Sequence, residues 1–225
     1  MPNSNTTFQQ QAYDYIRRQI ISLGFKPGEY VTDTEIAGHL NISRTPVREA
    51  FYRLEKEGLL INEARRGWKI YTLSLEDIHE IFDIKEVIEG MVARKAASCQ
   101  DERMRSELRE TLENMQAAAD AGEPEAWLKA DFLLHDILFQ MAGNERANRI
   151  IENLNDQWHR VRIGFVALQG RTKHSAAEHQ LFVESILAGN GDEAEKRMRT
   201  HLNRVREELV HLLVTMVLPF VEEGV

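Results

Sequence analysis

The stretch NISRTPVREAFYRLEKEGLL, residues 41–60, decides the fold of the N-terminal part of the chain. Its first residues are typical of a helix start, because Ser43 or Thr45 can cap the helix and Pro46 needs no N–H in the first turn. Apolar residues then recur at helical spacing and predict a buried stripe, formed by Val47, Ala50, Phe51 and Leu54. Arginines project from the other faces of the same helix, at Arg44, Arg48 and Arg53.

A shorter amphipathic helix is expected just upstream, over residues 34–40, joined to the first by a tight turn at Asn41 and Ile42. Two short helices around a tight turn, with arginines at the start of the second, are typical of a helix-turn-helix that enters the major groove of DNA. Downstream, residues 59–62 and 68–71 have the pattern of two strands around a basic tip. The sequence therefore predicts a winged helix-turn-helix that binds duplex DNA.

Charge is divided unevenly along this chain of 225 residues, whose net charge is −8. Residues 1–72 carry 10 Lys+Arg and 8 Asp+Glu, a net charge of +2, whereas residues 73–225 carry 18 and 28, a net charge of −10. Because charges are screened beyond about 8–10 Å, an acidic protein can still bind phosphates through a local basic surface. We therefore expect the N-terminal part to contact nucleic acid and the larger C-terminal part to have another task.

Cysteine content and apolar segments indicate a cytoplasmic protein. Cys99 is the only cysteine, which excludes an intrachain disulfide and suits a reducing compartment. The N-terminal residues MPNSNTT lack the basic and apolar regions of a signal peptide. The longest charge-poor apolar stretch, residues 209–221, is shorter than the roughly 20 residues that span a bilayer, so we expect a core or dimer helix there and no membrane partner.

Helical periodicity replaces the strand pattern at Leu73, and the following residues, SLED, predict a capping box. Turn residues then separate six expected helices, at about 75–98, 101–121, 124–142, 144–169, 172–188 and 191–218. Six helices with short loops favour an antiparallel bundle. The expected fold is mainly α, with a winged helix-turn-helix over residues 1–73 and an antiparallel all-α bundle over residues 74–225. Lys85 and Glu89, one turn apart in the first bundle helix, have the spacing of a surface ion pair.

Polar residues occupy positions of the bundle where apolar stripes require hydrophobic side chains. Asp131 and His135 lie one turn apart in the third bundle helix, so both project from one face and suit chelation of one ion. His179 and His201 fall on the apolar stripes of the fifth and sixth helices. A single inward histidine is more often a hydrogen-bonded core residue than a ligand. Burying all four groups without partners costs about 1–3 kcal/mol or more each, so the set favours one shared cation.

The N-terminal segment at residues 26–71 resembles the DNA-binding domain of the GntR family of transcriptional regulators. SRTPVREAFYRLEKEGL, followed by RRG, is similar to the family signature nearly position by position. The resemblance implies that the reading helix faces the DNA and that the wing enters the minor groove. The DNA-facing residues expected on this basis are Thr34, Ser43, Arg44, Thr45, Arg48, Arg66 and Gly67.

The segments DFLLH, residues 131–135, and EHQLFVESILAGNGDEAEKRMRTHL, residues 178–202, resemble the FCD effector domain of the FadR-type branch of that family. There an Asp and three His hold a metal, and a small carboxylate completes its coordination. The carried-over ligands are Asp131, His135, His179 and His201. The family's first-helix arginine is Lys85 here, and Arg162 is an alternative effector contact. Such a donor set suits a divalent transition metal, namely zinc, nickel, iron or manganese, and the sequence does not choose among them.

Three classes of function fit parts of this pattern. The first is a ligand-responsive regulator, a homodimer that reads a palindromic operator and responds to a small organic acid. The second is a metal-dependent hydrolase or oxygenase tethered to DNA, with Glu178 as a base. However, four protein ligands leave little room for water and substrate, and no nucleophile or phosphate loop accompanies them. The third, a purely architectural DNA-binding protein, leaves the buried polar cluster unexplained. The sequence therefore favours the regulator.

Overall fold

The computed structural model describes the backbone of residues 7–166, 171–212 and 214, and the side chains of residues 7–158, 171–211 and 214. The described residues form, in chain order, α1 (Phe8–Ile21), β1 (Tyr30–Val31), α2 (Asp33–Leu40), α3 (Arg44–Lys56), β2 (Leu60–Glu63), β3 (Gly67–Ile70), α4 (Leu75–Ala96), α5 (Glu102–Ala121), α6 (Pro124–Ala142), α7 (Glu145–Val166), α8 (Arg171–Leu187) and α9 (Gly191–Leu212). They divide into two compact units. One runs up to residue 73 and includes residues 155–160 of α7, and the other contains the remaining helices from residue 74.

The helix-turn-helix is formed by α2 and α3. A capping box opens α2, in which Thr32 and Glu35 satisfy each other's backbone N–H groups. Asn41 closes α2 with a left-handed φ of 54°, which makes the tight turn into α3. Ser43 is the N-cap residue of α3, but its side chain makes no capping hydrogen bond. The predicted apolar stripe of α3 is confirmed, since all four of its side chains are fully buried in the core of this unit: Val47, Ala50, Phe51 and Leu54.

The wing is an antiparallel hairpin of β2 and β3, and β1 pairs with the other edge of β3. The two hairpin strands lie within one residue of their predicted bounds. Sequence reasoning did not find β1, because two residues are too few to show an alternating pattern. Gly67, which begins β3, has a φ of 98°, and a Cβ at this position would lie 3.1 Å from the carbonyl oxygen of Val31. Both the backbone angle and the close approach therefore require glycine.

The helical unit confirms the expected succession of six helices. The capping box that opens α4 is present, with Ser74 and Asp77 as its two members. Along its length α4 packs against α9, while α5 packs against α6 and α8, and α8 packs against α9. The predicted continuations of α7 to residue 169 and of α9 to residue 218 reach outside the described residues. Within these limits, α4, α6, α8 and α9 hold the polar residues that the sequence placed on apolar stripes.

We predict that Gly67→Ala lowers the free energy of unfolding of the winged unit by about 2 kcal/mol or more, because the substitution combines a left-handed backbone with a close contact. Gly28→Ala is the matched control. Gly28 has a φ of 80° in the same unit, but a Cβ there would meet only Thr72 Oγ1, at 3.7 Å. Urea denaturation of both variants measures the difference. Equal losses would contradict the close approach at Gly67.

Candidate functional site

Three histidines from three helices converge inside the helical unit. His135 on α6, His179 on α8 and His201 on α9 each place one ring nitrogen within 4.8 Å of the others. The Nε2 atoms of His135 and His179 are 3.3 Å apart, and Asp131 Oδ1 lies 3.0 Å from Nε2 of His179. The four residues taken from the apolar stripes thus come together, with Asp131, His179 and His201 buried and His135 partly exposed.

Each imidazole has a hydrogen-bond acceptor at its other ring nitrogen. Nδ1 of His135 is 2.9 Å from Glu89 Oε2, and Nδ1 of His179 is 2.7 Å from the carbonyl oxygen of Ser175. Nδ1 of His201 is 2.7 Å from Glu178 Oε2. These contacts favour the tautomer that carries its proton on Nδ1, which leaves the Nε2 lone pair as a donor for a metal. Metal-ligating histidines in proteins are usually held in this way.

His179 lies between two hydrogen-bond acceptors. A neutral imidazole has one N–H, yet the two ring nitrogens of His179 face two acceptors, the Ser175 carbonyl oxygen and the Asp131 carboxylate. If the proton is on Nδ1, the lone pair of Nε2 points at a carboxylate oxygen in a site without solvent access. A cation between the two groups, or a second proton on the ring, removes this conflict.

Burial keeps one of the three imidazoles neutral. Burial lowers the pKa of His201 to about 3, and the neighbouring His179 acts in the same direction. His201 is therefore neutral at pH 7 and offers a lone pair. An apolar side chain also borders the cluster, since the Phe182 ring lies 4.9 Å from the ring of His179 and 5.9 Å from that of His201. A cation in such an environment interacts strongly with its ligands.

The spacing of the donors suits a transition metal. Two imidazole nitrogens that bind one ion at about 2.1 Å, at angles of about 90–110°, are roughly 3.0–3.4 Å apart. The 3.3 Å between Nε2 of His135 and Nε2 of His179 falls in that range. Three imidazoles and one carboxylate form a donor set typical of zinc, nickel, iron and manganese. The residues therefore fit the group that the sequence predicted.

Lys85 and Glu89 form a buried pair, so the expectation of a surface pair was wrong. Lys85 Nζ lies 2.5 Å from Glu89 Oε1, and the two side chains are 4% and 2% exposed. Burial by itself would raise the pKa of Glu89, but the charge of Lys85 and the contact with His135 hold it below its ordinary value. Glu89 is thus an ionised carboxylate that links Lys85 to one of the converging histidines. The pair is buried because α4 turns this face toward α6 and α9.

Glu178, like Glu89, is a carboxylate that contacts the Nδ1 atom of one of the converging histidines. The sequence had suggested it only as a base. It accepts hydrogen bonds from His201 Nδ1 and, at 2.6 Å, from Arg204 Nη1. Burial opposes its ionisation, but these two partners hold the pKa of Glu178 below its ordinary value. The carboxylate therefore orients His201 and stays charged. No pattern in the sequence revealed this contact, because it joins α8 to α9 across 23 residues.

Of the two residues expected to contact an effector, only Lys85 has a side chain that the structure describes. Lys85 lies beside the cluster, connected to it through Glu89 and His135. The side chain of Arg162 lies outside the described part of the structure. Elsewhere in the helical unit, His79, His174 and His211 are exposed, and none of them joins the cluster.

The predicted DNA-facing residues lie at the surface of the winged unit. Most of their side chains are exposed at the start of α2, the start of α3 and the tip of the wing: Thr34, Ser43, Arg44, Thr45, Arg48 and Arg66. Gly67 is partly buried against β1. The wing tip turns through Arg65, whose φ is 73°. The structure thus keeps the arginines of α3 and the wing accessible to a ligand.

Acidic and hydroxyl groups contact the arginines of this surface. Arg44 and Arg48 both form ion pairs with Asp33, the first residue of α2. Arg66 Nη1 donates to the hydroxyl of Tyr30 at 3.3 Å, and that hydroxyl donates to Glu63 at 2.5 Å. Sequence reasoning did not identify Asp33, because it precedes its partners by 11 and 15 residues across the turn.

None of the helices in the described part of the chain combines the length and the apolarity that crossing a bilayer requires.

Models of two protein families match the chain. One, described as "FCD domain", matches residues 80–204. The other, described as "Bacterial regulatory proteins, gntR family", matches residues 8–70. Both families consist of transcriptional regulators, so the alternative of an enzyme is set aside.

Individual relatives are similar to this chain over nearly its whole length. The HTH-type transcriptional regulator YdhC of Bacillus subtilis is 29% identical over 92% of this chain and 93% of its own. The HTH-type transcriptional repressor RspR of Escherichia coli is 28% identical over 92% of this chain and 91% of its own. The structure of E. coli McbR/YncC has the same fold, with a TM-score of 0.76 at 19% identity, over 92% of this chain and 99% of that one. Since the FCD match alone spans more than half of the residues, the chain belongs to the GntR family of DNA-binding transcriptional regulators that carry an FCD domain.

Proposed function

We propose that this regulator is a homodimeric repressor whose hold on a palindromic operator depends on a small carboxylate bound at a metal in the FCD domain. The observation that carries the proposal is the position of His179, a buried side chain whose two ring nitrogens face two acceptors. A bound cation would place positive charge between these acceptors.

Asp131, His135, His179 and His201 would hold the metal. When bound, it offers Lewis-acidic positions to the oxygen atoms of a small carboxylate. The chain itself orients the ligands, through Glu89 at His135, the Ser175 carbonyl at His179 and Glu178 at His201. Because every proton on Nδ1 has an acceptor, each imidazole keeps its tautomer and its direction whether or not an effector is present.

The effector is a small hydroxy- or dicarboxylate. A carboxylate of this effector would bind the metal, and the second anionic group of a dicarboxylate would be balanced by Lys85, with Arg162 as the alternative contact. Support for Lys85 comes from its burial beside the cluster, to which it is connected through Glu89 and His135. Support for Arg162 comes only from the sequence.

DNA binding is assigned to the exposed starts of α2 and α3 and to the wing. Arg44 and Arg48 reach the major groove, and Arg66 reaches the minor groove. Repression is proposed because the relative RspR is named a repressor. A lone reading head makes few base contacts, so two copies related by a two-fold axis read the two halves of a palindrome.

The outer face of α4 is proposed to join the two copies. Ile84 and Val87 are 44% and 55% exposed there, and Ile88 and Met91 extend the apolar stripe along the helix. When two copies of α4 meet on a two-fold axis, the apolar stripe of one copy packs against the same stripe of the other. The other faces of α4 already pack against α9, α6 and α8.

We predict about one transition-metal ion per chain, and a melting temperature that falls by about 5–10 °C when a chelator removes it, since a ligand bound only to the folded state stabilises that state. His179→Ala should abolish both the metal content and the response to chelator. His174→Ala, an exposed position on the same helix, should change neither. Elemental analysis and thermal melts with and without chelator provide the measurement. Metal-free wild-type protein with an unchanged melt would contradict the metal site.

We predict that malate, as a probe of the effector class, binds the metal-loaded protein and changes operator affinity by about 5–150-fold, the usual range of allosteric coupling. The operator probe is the DNA duplex that the wild-type chain binds with the highest affinity in a selection from a random pool. Asp131→Ala should lose the coupling while binding the duplex without malate as the wild type does. Calorimetry and gel-shift titrations measure the two steps. Binding of malate with no change in DNA affinity would refute its role as an effector.

We predict that Val87→Glu converts the dimer into monomers, because two carboxylates would face each other across the two-fold contact without water. Leu133→Glu, at a 45% exposed leucine on α6, is the matched control and should remain dimeric. Sedimentation equilibrium gives the mass of each variant. A dimeric Val87→Glu protein would show that another surface joins the copies.

A further inference from the structure

Asp33 connects the two arginines expected to read DNA. Arg44 Nη2 lies 3.0 Å from Oδ1 and 3.1 Å from Oδ2 of Asp33. Nε of Arg48 donates to Oδ2 of the same carboxylate. The side chain of Asp33 is only 12% exposed, whereas those of Arg44 and Arg48 are 54% and 56% exposed. The carboxylate is thus covered by the two guanidinium groups, which themselves remain at the surface.

This arrangement balances charge within the reading head. Arg44 and Arg48 are one helical turn apart on α3, where like charges repel each other. Burial would raise the pKa of Asp33, but hydrogen bonds from both arginines hold it below its ordinary value. The carboxylate therefore stays ionised and offsets one of the two positive charges.

The contacts also divide the arginine donors into two sets. A guanidinium group carries five N–H donors in one plane, so fixing one edge fixes the direction of the others. Asp33 takes the Nε edge of Arg48, which leaves its terminal Nη1 and Nη2 pair for another acceptor. Two parallel N–H donors are what bidentate recognition of a guanine edge requires.

We infer that Asp33 is a specificity-determining residue of the reading head, which orients Arg44 and Arg48 toward base edges and weakens their attraction to phosphates of any sequence. The inference rests on the proposed DNA contacts of these two arginines. Orientation favours the correct operator, because base contacts depend on direction. The negative charge disfavours every other duplex, because non-specific binding is dominated by phosphates.

In the wing, Arg66 also has a hydrogen-bond acceptor, but the acceptor is a hydroxyl group and not a carboxylate. There the uncharged hydroxyl of Tyr30 accepts from Arg66, and the carboxylate of Glu63 lies one hydrogen bond further away. A direct carboxylate contact is thus a feature of the α3 arginines and not of Arg66. This contrast is why we assign the specificity role to Asp33.

The test compares binding of the full chain to two duplexes at one fixed salt concentration. One is the tightest duplex that the wild type selects from a random pool, and the other is a scrambled duplex of the same length and composition. In Asp33→Asn, affinity for the scrambled duplex should rise about three- to tenfold, on the order of one added phosphate contact. The ratio of the two affinities should fall about tenfold or more, the size of one lost base contact.

Glu49→Gln is the matched control, because it removes the same charge from an exposed position of α3 outside the ion pairs described for Arg44 and Arg48. It should strengthen binding to both duplexes alike and keep their ratio. Asp33→Glu, which keeps the charge, should keep the weak binding to the scrambled duplex. If Asp33→Asn behaves like Glu49→Gln, or loses affinity for both duplexes equally, the inference is overturned.

Arg48→Ala separates this outcome from a failure of the DNA-contact proposal. It should weaken binding to the selected duplex about tenfold or more, whereas Arg109→Ala, an exposed arginine on α5, should not. Wild-type affinity in Arg48→Ala would remove the proposed contact and the inference together. A weakened Arg48→Ala with an unchanged ratio in Asp33→Asn would overturn only the role of Asp33.

Discussion

His179 lies between two buried acceptors, the Ser175 carbonyl on its own helix and the Asp131 carboxylate on α6, and a neutral imidazole has only one N–H to donate. Much of the helical unit is arranged around this constraint. Four helices supply the participating groups, and Glu89 and Glu178 hold the other two imidazoles with their Nδ1 atoms turned outward. A buried polar group without a hydrogen-bond partner costs about 1–3 kcal/mol. In this cluster, the nitrogen and oxygen acceptors outnumber the N–H groups that neutral imidazoles could donate to them. The cation that we propose would satisfy these groups together, and for this reason we prefer a metal to an ordinary buried hydrogen-bond network.

The two units place charge in opposite ways, and each arrangement serves its own ligand. In the helical unit, the carboxylates of Glu89, Asp131 and Glu178 contact a group of three imidazoles. In the winged unit, guanidinium groups converge on the single carboxylate of Asp33 and remain exposed around it. The first arrangement is buried and depends little on salt, whereas the second lies at the surface and weakens as salt screens it.

Sequence reasoning found the elements that periodicity can reveal. The reading helix was predicted from the spacing of four apolar residues, Val47, Ala50, Phe51 and Leu54. His179 and His201 were recognised because a polar residue on an apolar stripe is unusual. What it missed depends on contacts between distant parts of the chain. Lys85 and Glu89 have the spacing of a surface pair, and only the packing of α4 against α6 and α9 shows that they are buried. Glu178 reaches His201 across two helices, and Asp33 reaches Arg48 across a turn, so neither contact has a signature in local sequence. The short strand β1 gave no pattern at all.

The shared cation is tested most directly by an anomalous difference map from crystals of the protein as purified, recorded at the absorption edge of the metal found by elemental analysis. One peak is expected, within about 2.0–2.2 Å of an Nε2 atom from each of His135, His179 and His201 and of an oxygen of Asp131. A map without a peak at this place, together with a direct hydrogen bond from a doubly protonated His179 to Asp131, would contradict the cation and leave the cluster as a buried ion pair.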